Sequence, residues 1–449
     1  MPLTSLPSSD STEFYARRGD RTARCLDGRL PPLFHAVISI ANGWEHNAST
    51  LACVETLGNL LVRFCSCVTI VATDVQAALI EATKTLAMMK GADPFGEFDT
   101  TGTFPTHDVE IRIGGGTTEE RTQIALSFDG WIARVSGQPT AAQPCPSADT
   151  NHAPGAELAA CLAGAATFRF WNERTTTGVN PFELDLRNLN GASSGPTTSP
   201  VWVNPRPLTL LMVGAGSVGS ATSYFLPRLG FRGHVDVLDH DMVEIENLDR
   251  SPIFVAQHDR EPKANVVTEH LRTKNVSATA FPCTWNEFVQ KNPGLMRKHD
   301  AWLALANEHG VRRSMQANYP PVTIQASTGR NWGVQFGRHI PFVDDCQLDR
   351  FPEEPAGPLK CADGPVKAAS CKLVDAALPF SSFTAGLFVA AAVARMAIGE
   401  LNRGPNMCLL SFEPKFDLLT MDRRPAERCL CRKASRPIWE RIWHASGPA

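Results

Sequence analysis

Residues 208–263, LTLLMVGAGSVGSATSYFLPRLGFRGHVDVLDHDMVEIENLDRSPIFVAQHDREPK, determine the fold. An apolar run that ends at Val213 is followed by three glycines whose spacing is typical of a nucleotide-binding strand, tight turn and helix. Gly214 permits the turn, Gly216 lets a phosphate approach the backbone, and Gly219 lets the helix pack close to the strand. The stretch therefore predicts an α/β protein with a Rossmann-like fold.

The residues after the glycine turn are predicted to complete a nucleotide site. A helix from about Ser217 to Phe225 is expected to end before Pro227. Its first amides would offer an anion hydrogen-bond donors and a positive dipole potential. A second strand, His234 to Leu238, leads to Asp239, whose carboxylate is well placed to accept hydrogen bonds from a ribose.

A dinucleotide-dependent dehydrogenase and an enzyme that cleaves ATP share these features, so the residues beyond Asp239 decide between the two classes. They include, in order, Asp241, Glu244, Asn247, Arg250 and, after Pro262, Lys263. A hydride-transfer enzyme gains little from fixed cations here, whereas an enzyme that cleaves ATP between the α- and β-phosphates must neutralise a triphosphate. Arg250 and Lys263 suit that task, and the acidic neighbours suit Mg²⁺. The alternative is a solvated charged loop.

The pattern G-A-G-x-x-G, D-x-D-x-V-E-x-x-N-L-x-R and P-K-A resembles the adenylation domain of the ThiF/MoeB and ubiquitin-activating enzyme superfamily. The resemblance is specific through Lys263 and continues more loosely to about Arg432. It implies ATP and Mg²⁺ as cofactors and a ubiquitin-like carrier protein whose C-terminal glycine becomes an acyl-adenylate. By position it implies that Asp239 binds the ribose, and that Asn247, Arg250 and Lys263 line the phosphates.

Length and composition exclude several other classes. With 449 residues the chain is expected to form two or three domains, and its net charge of −3 gives no reason to propose nucleic acid or an anionic membrane as a partner. The first residues lack the apolar core of a signal peptide. The most apolar run, Ala385 to Ala394, is too short to span a bilayer. We therefore expect a soluble, cytoplasmic protein.

The N-terminal half repeats the element order of the nucleotide motif. A strand at Ala36 to Ile40 is followed by a helix from about Thr50 to Phe64, a strand at Val68 to Val71, and Asp74. The intervening turn reads ANGWEHN and lacks the glycine fingerprint. We interpret this half as a degenerate copy that cannot hold ATP, as in superfamily members that pair an inactive fold with an active one. An unrelated α/β domain is the alternative.

These patterns divide the chain into three parts: an inactive adenylation domain at 30–189, a linker at 190–207 and an active ThiF-like domain at 208–435. Superfamily members borrow an arginine from the partner fold to contact the triphosphate. The segment Tyr15 to Arg18 is a candidate source, but a solvated basic tail is the favoured interpretation.

One site residue departs from the superfamily pattern. The stretch 300–312 reads DAWLALANEHGVR, and alignment on Arg312 places Asn307 where the superfamily has an aspartate that assists Mg²⁺. A neutral amide ligates Mg²⁺ only through its carbonyl, so Glu308, Asp239 or Asp241 would have to supply the charge. This predicts either a rearranged metal site or slow activity.

A crossover loop is expected at about 344–380, and it contains the candidate nucleophiles. The string Ala369-Ser370-Cys371 resembles the setting of the superfamily's loop cysteine, which makes Cys371 the first choice for a thioester. Lys367 and Lys372 would lower its thiol pKa. Cys361 is the rival nucleophile, and both residues are alternatively ordinary loop cysteines.

Most of the other cysteines are interpreted as core residues: Cys53, Cys65, Cys67, Cys161 and Cys408. Related enzymes hold a structural zinc between two cysteine pairs. Here Cys429 and Cys431 form a C-x-C, but Cys346 belongs to no C-x-x-C, so a Zn²⁺ site would need Cys346, Cys429, Cys431 and Cys361. His309 and His339 are interpreted as surface residues without a role.

The favoured function is ATP-dependent activation of a ubiquitin-like protein, thioester formation on the crossover-loop cysteine, and transfer to a conjugating enzyme. The two-fold architecture resembles the activating enzymes of bacterial ubiquitin-like conjugation operons linked to antiphage defence (Bil-type). The alternatives are a sulfur-carrier adenylyltransferase without thioester relay and a non-catalytic carrier-binding scaffold. A homodimer is considered beside a monomer.

Overall fold

A computed structural model describes residues 9–25, 34–71, 75–101, 105–116, 123–138, 140–141, 143, 154–173, 179–191, 205–329, 332–350 and 378–425. The N-terminal half consists of α1 (Ser9–Arg18), α2 (Asp20–Cys25), β1 (His35–Ile40), α3 (Ala48–Leu61), β2 (Cys67–Val71), α4 (Val75–Ala92), β3 (Glu97–Thr101), β4 (Val109–Ile113), β5 (Gln123–Asp129), β6 (Ile132–Ser136), α5 (Pro154–Glu173) and β7 (Phe182–Asp185).

The C-terminal half has the same plan with additional elements. It consists of β8 (Leu208–Val213), α6 (Ser217–Arg228), β9 (Gly233–Leu238), α7 (Lys263–Thr273), β10 (Ser277–Phe281), α8 (Trp285–Lys291), β11 (Ala301–Ala304), α9 (His309–Ala317), β12 (Thr323–Gly329), β13 (Gly333–His339), α10 (Gln347–Arg350), α11 (Pro379–Ala397), β14 (Met407–Ser411) and β15 (Asp417–Met421). Short 3₁₀ turns occur at Ile245–Asn247, Ala256–His258 and Met296–Lys298.

The two halves contain sheets of matching topology. The strand orders are β3-β2-β1-β4-β5-β6-β7 and β10-β9-β8-β11-β12-β13-β14-β15. In each sheet the first five strands of this order are parallel and the following ones are antiparallel. The predicted fold class, two Rossmann-like α/β folds in one chain, is confirmed.

One hydrophobic core joins the halves. Helices α5 and α11 occupy equivalent positions after the sixth strand of each sheet and pack against each other, while α3 packs on α5 and α6 packs on α11. Phe168 of α5 meets Phe380 of α11 at a ring-centroid distance of 5.3 Å. Both rings are fully buried, so the two folds are held together by apolar burial within one chain.

A buried charge cluster reinforces this contact. Arg228, at the end of α6, lies 2.9 Å from a carboxylate oxygen of Glu55 on α3 and 2.8 Å from one of Glu157 on α5. Arg228 also donates to the carbonyl of Ala52 at 2.9 Å. Glu157 has no exposed surface, so the charge of its carboxylate is stabilised by Arg228 and by the hydrogen bond from the Thr56 hydroxyl.

One predicted helix boundary is wrong. Helix α6 includes Pro227 in its last turn and ends at Arg228, because the burial of Phe225 and Leu226 stabilises this turn against the hydrogen bond that Pro227 cannot donate. The central apolar helix α11 begins at Pro379 and ends at Ala397. A proline at the first helical position costs no hydrogen bond, so Pro379 can start α11.

Helix α11 contains the apolar run Ala385 to Ala394. Among the described residues, α11 is a helix that is long and apolar enough to cross a membrane, whereas the apolar run alone was expected to be too short to do so. Its most apolar window is entirely buried inside the protein, as expected for a central core helix. Arg395, near its end, is also buried and donates to the carbonyl of Arg187 at 2.7 Å.

Candidate functional site

The glycine turn between β8 and α6 requires glycine at two positions. Gly214 has a φ of +102°, and a Cβ added there would lie 2.6 Å from the backbone nitrogen of Ala306. A Cβ on Gly219 would lie 2.0 Å from the carbonyl oxygen of Gly214. The turn and the close helix packing predicted from these residues are therefore confirmed.

Gly216 has a different environment. It is the N-cap of α6, with φ −70° and ψ −151°, and no side chain caps the helix there. A Cβ on Gly216 would meet no atom within 4 Å. The helix N-terminus therefore faces open space, and its amides are available to an anion.

The two glycines are therefore predicted to respond differently to alanine: Gly216→Ala should mainly weaken nucleotide binding, and Gly219→Ala should mainly lower stability. Gly216→Ala is expected to cost at most about 1 kcal/mol of unfolding free energy, because the position is open, but to weaken MgATP binding about tenfold by filling the phosphate's space. Gly219→Ala is expected to cost about 1–3 kcal/mol, because its methyl group clashes with a backbone carbonyl. Urea unfolding and MgATP titration measure both, and the reverse pattern would contradict the assignment.

Asp239 is bound to the glycine turn. One of its carboxylate oxygens accepts from the amide of Ala215 at 2.6 Å, and the other accepts from the amide of Asp241 at 2.8 Å. Burial raises the pKa of Asp239, while the nearby charge of Lys263 and the two amides oppose this shift. The carboxylate lies at the end of β9 beside the turn, where a ribose contact is predicted.

Lys263 lies beside the same carboxylates. It is the first residue of α7, and its ammonium is 2.9 Å from a carboxylate oxygen of Asp241. Its backbone amide also donates to the carbonyl of Asp241 at 2.9 Å. Burial would raise the pKa of Asp241, but Lys263 outweighs this effect and the pKa is lowered. The structure therefore brings Lys263, Asp239 and Asp241 together at the turn.

Three side chains here are close enough to share a metal ion. Ligand atoms of Asp239, His240 and Asp241 all lie within 4.8 Å of one another. A partly buried carboxylate, that of Asp239, beside the exposed carboxylate of Asp241 fits the preference of Mg²⁺ for oxygen ligands and retained waters.

Arg250 is held by its own loop. Its guanidinium donates to the carboxylate of Asp249 at 2.6 Å and to the carbonyl of Glu246. Burial raises the pKa of the fully buried Asp249, and Arg250 opposes this shift. Among the described residues, the contacts of Arg250 run to this loop and not to the glycine turn, so its phosphate contact stays a prediction.

Asn247 has a structural contact that the sequence did not reveal. Its side-chain oxygen accepts from the amide of Glu244 at 3.2 Å and so closes the 3₁₀ turn that precedes Arg250. Asn247 is buried, and its predicted phosphate contact is untested.

Asn307 lies next to the turn. It is exposed and directly follows Ala306, whose backbone packs against Gly214. Arg312 fixes this segment, because its guanidinium donates to the carbonyl of Ala306 at 2.8 Å and to that of Ala326 at 3.3 Å. Burial lowers the pKa of Arg312 to about 10. Arg312, the residue on which the segment was aligned, is thus a buried side chain that fixes the position of Asn307.

The N-terminal helices contact the loop that carries Arg250. Arg17 lies 2.9 Å from Glu246, and the buried hydroxyl of Thr22 donates to Asp249 at 3.2 Å. Arg18 is instead buried beside Asp93 at 2.8 Å. The favoured interpretation of a solvated basic tail is wrong, and Arg17 remains the candidate for a phosphate contact.

The corresponding turn of the N-terminal half is filled. Trp44 is 2 % exposed and packs edge-on against Phe128, with ring centroids 5.3 Å apart. The side chain of Asn47 caps α3 by accepting from the amides of Ser49 and Thr50 at 2.8 and 3.2 Å. The amides that would face an anion are therefore already bound, unlike those of α6.

Several predicted residues lie outside the described part of the chain: Cys361, Cys371, Cys429, Cys431 and Asp74. Cys346 is buried next to α10 and packs near Leu348. Cys53, Cys65, Cys161 and Cys408 are core residues as expected, but Cys67 is only half-buried at the start of β2. His339 is fully buried, because β13 is an inner strand, and burial lowers its pKa to about 4.

Comparisons with known proteins give a separate family match in each half of the chain. The ThiF family profile matches residues 206–425, and the BilD N-terminal domain profile matches residues 35–186. The uncharacterized protein y4jF of Sinorhizobium fredii (strain NBRC 101917 / NGR234) is 29% identical over 177 residues, which cover 38% of this chain and 33% of y4jF. The chain thus matches about a third of the length of that relative.

Solved structures of E. coli MccB show a weak similarity. MccB with MccA-N7isoASN is 17% identical, with a TM-score of 0.40 over 50% of this chain and 67% of MccB. MccB with ATP is 18% identical, with a TM-score of 0.37 over 50% and 67%. MccB without a named ligand is 20% identical, with a TM-score of 0.39 over 52% and 67%.

Proposed function

Because the chain contains a ThiF family domain and a BilD N-terminal domain, we propose that it is an ATP-dependent adenylating enzyme that activates the C-terminal glycine of a ubiquitin-like protein. One observation carries the proposal. The helix N-terminus at Gly216 is open and lies beside the cluster of Asp239, Asp241 and Lys263, whereas the equivalent turn of the other half is filled.

The residues of the site suit cleavage between the α- and β-phosphates. The triphosphate would lie on the first amides of α6, with the ribose on Asp239. The carboxylate of the carrier's terminal glycine would attack the α-phosphorus, and pyrophosphate would leave with its charge balanced by Lys263 and Arg250. Mg²⁺ held by Asp239 and Asp241 would screen the phosphate charges when bound.

The N-terminal half would bind no ATP and would serve as the structural partner of the active half. Asn47 already binds the first amides of α3, and the buried Trp44 fills the turn before them. Since both folds belong to one chain and share one core, the pair of folds typical of the superfamily is complete without a second chain. The BilD N-terminal domain match agrees with the Bil-type resemblance, and so supports a carrier protein and a conjugating enzyme as partners.

The thioester step distinguishes this function from simple adenylation. The thiolate of Cys371 would attack the acyl carbon of the adenylate, forming a thioester and releasing AMP. With ATP and a glycine-terminated ubiquitin-like protein, we expect an adduct sensitive to reducing agent that is lost in Cys371→Ala and kept in Cys361→Ala. Gel electrophoresis with and without thiol reductant measures it.

Other outcomes identify the alternatives. An adduct that survives Cys371→Ala but not Cys361→Ala would make Cys361 the nucleophile. Pyrophosphate exchange without any adduct would favour a sulfur-carrier adenylyltransferase. A chain that binds the carrier but catalyses no exchange would be a scaffold, an outcome that the exposed amide of Asn307 makes worth testing. Zinc on Cys346, Cys429 and Cys431 stays a separate prediction, to be checked by metal analysis of the purified chain.

A further inference from the structure

A buried arginine of the N-terminal half binds three carbonyls of the loop that carries Arg250. Arg63 follows α3 and is 2 % exposed. Its guanidinium donates to the carbonyls of Leu248 and Phe254 at 2.8 and 2.9 Å, and to that of Pro252 at 3.0 Å. Three carbonyls on both sides of Arg250 are thus bound by one side chain of the other fold.

Arg63 uses its whole donor capacity in this arrangement. Its two remaining N–H groups donate to the backbone and side-chain oxygens of Asn59 at 3.1 and 2.6 Å, so all five donors have partners. The amide of Asn59 adds a second bond to the carbonyl of Pro252 at 3.1 Å. Within the described residues, no backbone N–H donates to the three loop carbonyls.

Burial of the Arg63 guanidinium among carbonyls costs folding free energy. None of the ion pairs in the described part of the chain involves Arg63, and burial lowers its pKa to about 9. Desolvation of an arginine without a carboxylate partner opposes folding. The bonds of Arg63 hold a loop that is itself covered, since residues 248–254 are all buried except Arg250, which is partly buried.

The N-terminal half also holds the partner of Arg250. The hydroxyl of Thr22, 1 % exposed, donates to one carboxylate oxygen of Asp249, and Arg250 donates to the other. The direction of the Arg250 side chain is therefore set from two sides by residues of the other fold.

We propose that Arg63 is a positioning residue of the nucleotide site: it fixes the 248–254 loop so that Arg250 is presented to the triphosphate. The inference rests on the proposed function, and it gives the silent half a direct task in nucleotide binding. Arg63 itself does not touch the nucleotide. Its removal should therefore affect ligands that contact Arg250 and spare those that contact only Asp239 and the glycine turn.

The test compares the dissociation constants of MgATP and AMP for the full chain by calorimetric titration. Arg63→Met is expected to weaken MgATP binding about tenfold and AMP binding by less than about twofold, as expected for the loss of one charged contact. Arg63→Lys should retain part of the affinity. Arg395→Met is the matched control, because Arg395 is equally buried and binds carbonyls far from this loop. It should leave the ATP-to-AMP ratio unchanged.

A double variant tests whether Arg63 acts through Arg250. In the Arg250→Ala background, Arg63→Met should cause no further loss of MgATP affinity. Additive losses, or equal losses for ATP and AMP, would overturn the inference. Should Arg63→Met not fold, Arg63→Lys keeps the buried charge but offers fewer donors to the loop carbonyls, and it should still lower MgATP affinity about threefold with AMP unaffected; an unchanged ratio in Arg63→Lys would then overturn the inference. Thr22→Val, which removes the hydroxyl that binds Asp249, is expected to have a similar effect.

Two further outcomes distinguish a failure of the proposed function from a failure of the role assigned to Arg63. A wild-type chain that binds no MgATP would refute the proposed function and this inference together. A wild-type chain that binds MgATP normally, with Arg63 and Thr22 variants that keep the wild-type ATP-to-AMP ratio, would refute this inference alone.

Discussion

Lys263→Ala is expected to lower the rate of ATP–pyrophosphate exchange by on the order of a hundredfold or more. The ammonium of Lys263 lies against Asp241 and next to Asp239, and only 11 % of the side chain is exposed. Without it, two carboxylates would face a triphosphate with no lysine to balance them. The pyrophosphate that leaves would also lose its nearest fixed cation.

The fold should tolerate this substitution. Asp241 is exposed, so its carboxylate can be solvated when Lys263 is removed, and the unfolding free energy should change by no more than about 1 kcal/mol. Lys291→Ala serves as the control, since Lys291 forms an exposed pair with Glu287 on α8. Exchange by Lys263→Ala at the wild-type rate, with the carrier saturating, would remove Lys263 from the catalytic site.

Arg228→Met is expected to produce the largest loss of stability, about 3–5 kcal/mol. Arg228 binds Glu55, Glu157 and the carbonyl of Ala52 across the contact between the two folds. Its removal would leave the fully buried Glu157 charged without its cation. Urea unfolding followed by tryptophan fluorescence measures the change.

A second substitution separates the charge effect from lost packing. Glu157→Gln removes the orphaned charge and retains an acceptor for the Thr56 hydroxyl, so Arg228→Met with Glu157→Gln should recover more than half of the loss. Arg403 has an exposed side chain and shares Glu400 with Arg187, so Arg403→Met should change the unfolding free energy by less than about 1 kcal/mol. A loss of similar size in Arg228→Met and Arg403→Met would show that the cluster does not join the halves.

Local sequence patterns predicted the parts of the site that depend on the backbone. Gly214 and Gly219 could be assigned because their roles follow from conformation and from strand-to-helix distance. The order strand, turn, helix, strand predicted the duplicated fold, which the matching strand orders confirm. The absence of the fingerprint from ANGWEHN predicted an altered second turn, although not that Trp44 and Asn47 fill it.

Long-range contacts were not predictable in this way. Arg63 and Thr22 are separated in sequence by 185 and 227 residues from the loop residues that they contact, Leu248 and Asp249. No local sequence pattern marks either residue. Asn247 and Arg250 matched a motif, but the motif did not show that Asn247 closes a turn or that Arg250 pairs with Asp249. Such pairings depend on the packing of one fold against the other.

The pocket at Gly216 and Lys263 is expected to bind a triphosphate, and the N-terminal copy is expected to bind none. Calorimetric titration of the purified chain with MgATP, AMP and NADH tests both parts at once. We predict one MgATP per chain, weaker AMP binding, no NADH binding, and a selective loss of MgATP affinity in Lys263→Ala. Two MgATP per chain, NADH binding as tight as that of MgATP, or no nucleotide binding would contradict the account.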